Sequence, residues 1–231
     1  MREYGLFDVL GPIMIGPSSS HTAGACRIAR VAEEICGRGF NKIIFYLHGS
    51  FAETYLGHGT DKALVAGALG LAPDDVRLRD SFQMAKDRGI SFSFIKKNLG
   101  EHVHPNTVRI VFSYPDGREK TVTGSSIGGG NILLTEIEGV TVEYTNKRPT
   151  MILKYPEQKG VIAFVSSIIA ENNYNIESMI TQKEGDRVTL LIELDEELDE
   201  KTKDEILRDP RFTVATYIRC VDEKESGEKE Q

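Results

Sequence analysis

The sequence has few cysteines, no excess of basic residues and no long apolar run. Its three cysteines, Cys26, Cys36 and Cys220, show no Cys-x-x-Cys or Cys/His spacing, which excludes a disulfide framework and a complete zinc site. The net charge of -7 and the pI near 5.4 argue against nucleic-acid and anionic-membrane binding. No stretch approaches the roughly 18 apolar residues of a membrane span, and the N-terminus does not resemble a cleaved leader. We therefore expect a cytoplasmic protein.

The composition is that of an ordinary globular protein, with 40% hydrophobic and 27% charged residues in 231 positions. This length allows one large domain or two small ones, and we expect two. The fold class predicted from the pattern of elements is α+β. We place the first domain at 1–144, a polar linker at 145–149 and the second domain at 150–221. The charged segment 222–231 has no apolar residue to bury and is predicted to be disordered.

A serine-rich motif, GPSSSHTAG at 16–24, precedes a helix. From Ala23 onward an apolar face recurs at helical spacing, formed by Ile28, Val31, Ala32, Ile35 and Cys36. Hydroxyls therefore collect at the helix N-terminus, where free amide N–H groups and the macrodipole favour an anion; they belong to Ser18, Ser19, Ser20 and Thr22. His21 stands among them. The alternative is a simple cap beside a surface histidine, but one cap needs one hydroxyl.

A second motif, GHGTDK at 57–62, follows a predicted strand at 42–48. We expect a loop from Gly49 to this motif and then a helix that Thr60 or Asp61 caps. Glycines on both sides of His58 allow the backbone to approach a ligand closely. The alternative is a turn with an incidental histidine and exposed charges at Asp61 and Lys62.

Two further polar stretches lie in the first domain. His102 and His104 would point the same way on a strand, but no third ligand is near, so we expect no metal site. A strand at 120–123 is predicted to lead into a glycine run at 124–130, whose consecutive N–H groups could form an anion-binding nest. A short helix or strand is also predicted at 6–15.

The second domain has a clear pattern. Strands are predicted at 150–155, 176–182, 187–194 and 214–219, and helices at 161–172 and 199–207. The order βαββαβ is that of a ferredoxin-like split unit.

The motif GPSSSHTAG closely resembles the opening motif of the iron–sulfur-dependent L-serine dehydratases, in the segment that forms the β chain of their two-chain members. The motif GHGTDK resembles the second signature of that family. Two further patterns of the family are similar to His104-x-Asn106 and to Ser-x-Gly-Gly-Gly at 126–130. The resemblance implies conversion of L-serine to pyruvate and ammonia with a 4Fe-4S cluster. Such a cluster takes three or four thiolates, so they would have to come from a separate α subunit.

The resemblance also implies roles for individual residues. His58 is expected to take the Cα proton, and His21 and His104 to orient the substrate or the base. The substrate carboxylate would be held by Ser18, Ser19, Ser20 and the helix amides. The remaining substrate-binding candidates are Thr22, Asp61, Lys62, Asn106, Gly128 and Gly129.

The second domain resembles an ACT domain, a module that pairs side by side and often binds amino acids. Gly160 and Asn175 are its ligand candidates, whereas Glu157 and Tyr155 depart from the pattern of phosphoglycerate dehydrogenases. Dimerisation is therefore the favoured role. The first domain is similar to a regulatory substrate-binding domain of some phosphoglycerate dehydrogenases. An alternative function is thus a non-catalytic module for amino-acid sensing and assembly.

Overall fold

The structure, a computed structural model, describes residues 13–220. The chain divides into two compact units, the first running to Thr145 and the second beginning at Asn146. Each unit contains one sheet and several helices, so the α+β class predicted from the sequence is confirmed. Within residues 13–220, no helix has the length and apolar character that crossing a membrane requires.

The first unit begins with a π-helical turn, Ser19–Gly24, that continues into the first helix. Its helices are α1 (Ala25–Cys36), α2 (Gly49–Thr54), α3 (Thr60–Ala68) and α4 (Ser81–Asp87), with a 3₁₀ turn at Val76–Asp80. Its strands are β1 (Lys42–Leu47), β2 (Ser91–Lys96), β3 (Thr107–Ser113), β4 (Glu119–Gly128), β5 (Asn131–Ile137) and β6 (Val140–Tyr144).

The six strands form one sheet in the order β2-β1-β3-β4-β5-β6. The β1–β2 pair is parallel, because the chain crosses over through α2, α3 and α4, and the other pairs are antiparallel. Helix α1 packs on the central strands with the apolar face that the sequence predicts. Gly124 in β4 allows this approach, since a Cβ there would be 2.6 Å from Leu134 and 2.9 Å from Ile28.

The C-terminus of α1 is fixed by polar side chains from the sheet. The hydroxyl of Tyr114 donates to the carbonyl oxygen of Cys36 at 2.7 Å, and Nζ of Lys120 donates to the same oxygen at 2.7 Å. Helix C-termini carry carbonyl groups without intrahelical partners, and a cation there also interacts favourably with the macrodipole. The serine-rich motif at the N-terminus of α1 therefore belongs to a helix whose C-terminus is fixed by Tyr114 and Lys120.

Four sequence predictions for this unit were wrong. The expected loop after Gly49 contains α2, a helix of six residues. Strand β4 continues to Gly128, so residues 124–128 of the glycine run are strand. Neither Thr60 nor Asp61 caps α3, whose N-cap is Gly59 without a side-chain hydrogen bond. His102 lies in a turn and His104 has no regular secondary structure, so the two do not share a strand. Of the element predicted at 6–15, residues 13–15 are neither helix nor strand and the others lie outside the described residues, as does the predicted tail 222–231.

The second unit consists of β7 (Thr150–Pro156), α5 (Val161–Glu171), β8 (Ile176–Glu184), β9 (Arg187–Leu194), α6 (Glu200–Leu207) and β10 (Val214–Ile218). The strands form an antiparallel sheet in the order β10-β7-β9-β8, which leaves β8 at an edge. Apolar residues of β7 and β9 form a core with α5, centred on Leu153, Val165 and Leu190. The element order is the one predicted from the sequence.

Candidate active site

The serine-rich motif forms the start of the first helix. Ser18 has extended backbone angles (φ -142°, ψ 123°), and its Oγ accepts the backbone N–H of His21 at 3.1 Å. The following turn, Ser19–Gly24, is π-helical, although the sequence had predicted ordinary α-helix from Ala23. Such turns are rare and occur frequently at functional sites. The hydroxyls lie at the helix N-terminus as predicted, with that of Ser18 serving as the cap.

Two glycines allow this motif to pack closely. Gly16 has a φ of +137°, and a Cβ on it would be 2.5 Å from Cγ2 of Thr22. A Cβ on Gly24 would be 2.1 Å from Oγ of Ser126 in β4. Ser126 is fully buried, and its Oγ has no hydrogen-bond partner among the described residues. The motif therefore lies directly against a buried, unpaired hydroxyl of the sheet.

His21 and His58 lie side by side. Their ring centroids are 4.8 Å apart, with the planes inclined at 53°. The hydroxyl of Thr22 donates to the backbone carbonyl of His58 at 2.9 Å, which joins the two motifs. Gly59 adopts a left-handed conformation (φ +67°) and so turns the chain from His58 into α3. The structure thus brings together the two histidine motifs that the sequence singled out.

The two imidazoles differ in their surroundings. The Nδ1 atom of His21 is 3.1 Å from Oγ of Ser20, and its Nε2 atom is 2.9 Å from Oγ of Ser50. By contrast, Nδ1 of His58 is buried and has no hydrogen-bond partner among residues 13–220. Unpaired buried polar atoms are uncommon, and a catalytic role is one explanation for them. Both ring nitrogens of His21 thus have hydroxyl partners, whereas Nδ1 of His58 has none among the described residues.

The environment of His21 disfavours its protonation. Burial lowers the pKa of the imidazole below its ordinary value of 6.5, and the nearby His58 lowers the pKa further. The unfolded chain therefore binds a proton at a higher pH than the folded protein does. Stability should consequently fall as the pH drops through about 6.5, and the neutral ring persists at lower pH than in a free histidine.

The loop at 104–106 reaches the same region from the sheet. The backbone of Pro105 packs against Gly49, where a Cβ would be 2.7 Å from the Pro105 oxygen. The backbone oxygen of Asn106 accepts the N–H of Ser126 at 2.9 Å. The imidazole of His104 is exposed, and its Nδ1 accepts the N–H of Asn106 at 3.1 Å. The loop adjoins the site through its backbone, while the His104 ring is held within the loop.

The polar residues after His58 belong to the start of α3. The Oδ1 atom of Asp61 accepts the N–H of Lys62 at 2.8 Å, so the carboxylate is engaged by its own helix. Burial raises the pKa of Asp61, although that N–H opposes the shift. Lys62 is exposed, and Oγ1 of the fully buried Thr60 has no partner among the described residues.

The glycine turn between β4 and β5 is attached to the first helix. Gly128, Gly129 and Gly130 all have positive φ, at 103°, 61° and 80°. The guanidinium of Arg27 donates to the carbonyl oxygen of Gly130 at 2.7 Å. Only glycine adopts such a series readily. The predicted nest therefore lies beside the helix that carries the serine motif.

From the sequence, Ser50 and Phe51 had no assigned role, Thr60 was named only as a helix cap, and Ser126 was included only in the Ser-x-Gly-Gly-Gly pattern. The ring of Phe51 is buried and meets His21 edge-on, with centroids 5.4 Å apart. Ser50 follows the carboxyl end of β1, a place where polar side chains often serve function. That position was the available signal for Ser50.

The thiols of this unit do not fit as ligands of an iron–sulfur cluster. Cys26 and Cys36 are buried, and burial raises the pKa of each thiol to about 12. Cluster ligands are thiolates, which such surroundings oppose. Among the described residues, no group of three histidine, cysteine or acidic side chains is arranged to hold a metal ion.

A cavity of about 500 Å³ lies elsewhere, on the open face of the first sheet. Its lining includes Tyr46, Lys97, Arg109 and Glu136. One guanidinium nitrogen of Arg109, Nη2, donates to both carboxylate oxygens of Glu136, at 2.6 and 2.7 Å. The Nζ atom of Lys97 lies 4.9 Å from the centre of the Tyr46 ring. These charges already have partners, and the lining contains no histidine. The chemistry favours the histidine site over this cavity.

In the second unit, the two ligand candidates have structural roles. Gly160 is left-handed (φ +87°) and precedes α5. The side-chain amide of Asn175 donates to Oδ2 of Asp195 at 2.6 Å, and this bond is the main reason that the pKa of Asp195 is lowered. Arg148 pairs with Asp195 as well. An amino-acid ligand at Asn175 would have to share or replace these contacts.

The family model for the serine dehydratase beta chain matches residues 5–137. The chain belongs to this family. A β-chain relative, the L-serine dehydratase β chain of Peptoniphilus asaccharolyticus, is 52% identical over 220 residues, covering 94% of this chain and 99% of that one. The probable L-serine dehydratase β chain of Bacillus subtilis is 40% identical, with the same coverage.

The matched range contains the two histidine motifs, the loop at 104–106 and the glycine turn. The alignments with the two β chains cover 94% of the present chain, so they extend into the second unit as well. A more distant similarity is to the D-3-phosphoglycerate dehydrogenase of Bacillus subtilis, at 28% identity over 160 residues, which cover 68% of this chain and 30% of that protein.

Proposed function

We propose that this chain is the β subunit of an iron–sulfur-dependent L-serine dehydratase, which converts L-serine to pyruvate and ammonia. Membership of the β-chain family and relatives named L-serine dehydratase support this proposal. The observation that carries it is the contact between His21 and His58 beside a hydroxyl-rich helix N-terminus. Together these residues offer a proton acceptor and an anion cradle, both of which the reaction requires.

The reaction removes the Cα proton and the β-hydroxyl of serine as water, and the resulting enamine tautomerises and is hydrolysed to pyruvate and ammonia. His58 is the proton acceptor in this proposal, because its Nδ1 is unpaired while both nitrogens of His21 already contact hydroxyls. A neutral imidazole is a suitable base near pH 7. His21 orients the base, and His104 contributes from the adjoining loop.

The substrate carboxylate is assigned to the helix N-terminus. Hydroxyls of Ser18, Ser19 and Ser20 and the free amides of the π-helical turn favour a negative group there. Thr22 holds the backbone of His58, and the glycine turn adds further N–H groups from Gly128 and Gly129. Asn106, Asp61 and Lys62 complete the proposed surroundings of the substrate.

The 4Fe-4S cluster belongs to the α subunit in this proposal, since Cys26 and Cys36 are unsuited to ligating it. When bound, such a cluster supplies a Lewis acid for a leaving hydroxyl. The chain therefore contributes imidazoles and the anion cradle to a site that it shares with its partner.

Co-expression with the α subunit tests this assignment. The purified pair should form pyruvate from L-serine in a coupled assay with NADH, whereas the β chain alone should not, because it lacks the cluster ligands. The α subunit alone is the matched control. Turnover by the isolated β chain, or an inactive pair with an intact cluster, would contradict the proposal.

A sensor function is the second candidate, and the similarity to a phosphoglycerate dehydrogenase favours it. In that case calorimetry should detect tight binding of L-serine to the isolated chain. Replacing His58 should then leave the activity of the cluster-bearing pair with the α subunit unchanged.

The second unit is proposed to be an ACT domain at 150–221 that forms a homodimer. Its element order and the strand order β10-β7-β9-β8 support this, and so does the exposed edge strand β8, whose Ile180 is 50% exposed. An unpaired edge offers backbone groups to a second copy. Gly160 and Asn175 remain the candidates for an amino-acid ligand between copies.

We expect Ile180→Lys to halve the mass of the homodimer measured by light scattering, because two lysines would face each other across the paired edges. Thr216→Lys places the same charge on β10, at the other edge of the sheet, and should leave the mass unchanged. A dimer that survives Ile180→Lys and dissociates with Thr216→Lys would contradict pairing through β8.

A further inference from the structure

Ser50 lies at the point where β1, α2 and the loop at 104–106 meet. It is the second residue of α2, directly after the glycine that follows His48. Its Oγ is 2.9 Å from Nε2 of His21, which is the shorter of the two hydroxyl contacts of that ring. A serine outside the recognised motifs therefore makes the closest polar contact with a histidine inside one.

The backbone around Ser50 is fixed on several sides. The N–H of His48 donates to the carbonyl oxygen of Thr107 at 3.0 Å, and Gly49 packs against the backbone of Pro105. The hydroxyl of Thr54 donates to the carbonyl oxygen of Ser50 at 2.8 Å. The Oγ atom is thus presented from a rigid position, as a residue that orients another must be.

The two hydroxyl contacts can define one state of the His21 ring. A neutral imidazole donates from one nitrogen and accepts at the other, and a serine hydroxyl can play either part. With Ser20 on Nδ1 and Ser50 on Nε2, the ring has a partner for its N–H and a partner for its lone pair. The edge-on contact with Phe51 fixes its plane. Removing Ser50 would leave Nε2 without its partner and the ring free to turn.

We propose that Ser50 is a positioning residue, which fixes the orientation of the His21 ring beside His58. The structural part of this proposal does not depend on the proposed function. Only its catalytic consequence does, namely that His58 acts as the base beside a neutral His21 ring of fixed orientation. The ring centroids of His21 and His58 are 4.8 Å apart, so rotation of the first ring would alter the contact with the second. A misplacement of about 1 Å in catalytic geometry can lower the rate on the order of 100-fold.

Nitrogen NMR of the imidazoles in the full-length chain tests the structural part. The His21 signals, assigned with His21→Gln, should change at Nε2 in Ser50→Ala, because that nitrogen loses the Ser50 hydroxyl. Ser50→Thr keeps the hydroxyl and should restore the signal of the unmodified protein. Ser113→Ala removes a serine hydroxyl that bonds the exposed Glu119 and serves as the matched control. Unchanged His21 signals in Ser50→Ala would overturn the proposal.

Activity of the pair with the α subunit tests the consequence. Ser50→Ala should lower kcat by roughly 10- to 100-fold, the effect expected of misplaced catalytic groups, with KM changed less than about threefold. Ser50→Thr should recover most of kcat. Full activity of Ser50→Ala would overturn the positioning role. An inactive unmodified pair would instead count against the proposed function, while the NMR result on the β chain would still decide whether Ser50 fixes His21.

Discussion

Replacing His58 with alanine should lower kcat of the reconstituted dehydratase by about 100-fold or more, because a positioned general base contributes rate factors of this size. The side chain is singled out by its buried and unpaired Nδ1 and by its contact with His21. Removal of the ring leaves the hydroxyls of the serine motif in place. KM for L-serine should therefore change much less than kcat, and stopped assays over a range of serine concentrations separate the two.

His102→Ala is the matched control for this experiment. His102 is exposed and lies in the turn before the loop at 104–106, so its removal should leave kcat unchanged. Near-normal turnover of His58→Ala, with the cluster intact and the two subunits associated, would remove His58 from the catalytic role. A loss seen equally in both variants would indicate damage to the pair rather than loss of a base.

The sequence predicts those parts of the site that are formed by a few consecutive residues. The serine motif, the glycines around His58 and the glycine turn each combine special backbone geometry with polar groups in a few consecutive residues. Helical spacing of apolar residues likewise predicts α1, in which Ile28, Val31 and Ala32 are buried at that spacing. Such patterns do not depend on the remainder of the chain.

The parts that the sequence does not predict depend on tertiary contacts. Helix α2 has only six residues, too few for an apolar period, and it is stabilised by packing of Phe51 and Ala52. Ser50 reaches His21 only because β1 pairs with β3 and Pro105 adjoins Gly49. The role of Asp61 was also open in the sequence, since an exposed charge at a helix start and a substrate-binding carboxylate have the same local pattern. The structure buries Asp61 and engages its carboxylate with the N–H of Lys62.

The close approach of α1 and α3 determines where the two histidines stand. Helix α1 follows the motif that carries His21, and α3 begins two residues after His58. At their crossing, Gly67 faces the backbone of α1: a Cβ there would be 2.1 Å from the carbonyl oxygen of Cys26 and 3.0 Å from the nitrogen of Arg30. Because these are main-chain atoms, the helices would have to separate to admit a methyl group.

We therefore expect Gly67→Ala to destabilise the first unit by roughly 2 kcal/mol or more, even though alanine favours a helix by about 1 kcal/mol over glycine. Calorimetry should record a fall in Tm of about 4 °C or more. Gly57→Ala is the matched control, since its Cβ would meet nothing closer than the Thr54 oxygen at 3.7 Å. Unchanged stability of Gly67→Ala would mean that the helices can separate without cost, and the contact between His21 and His58 would then lack the rigid support that this packing provides.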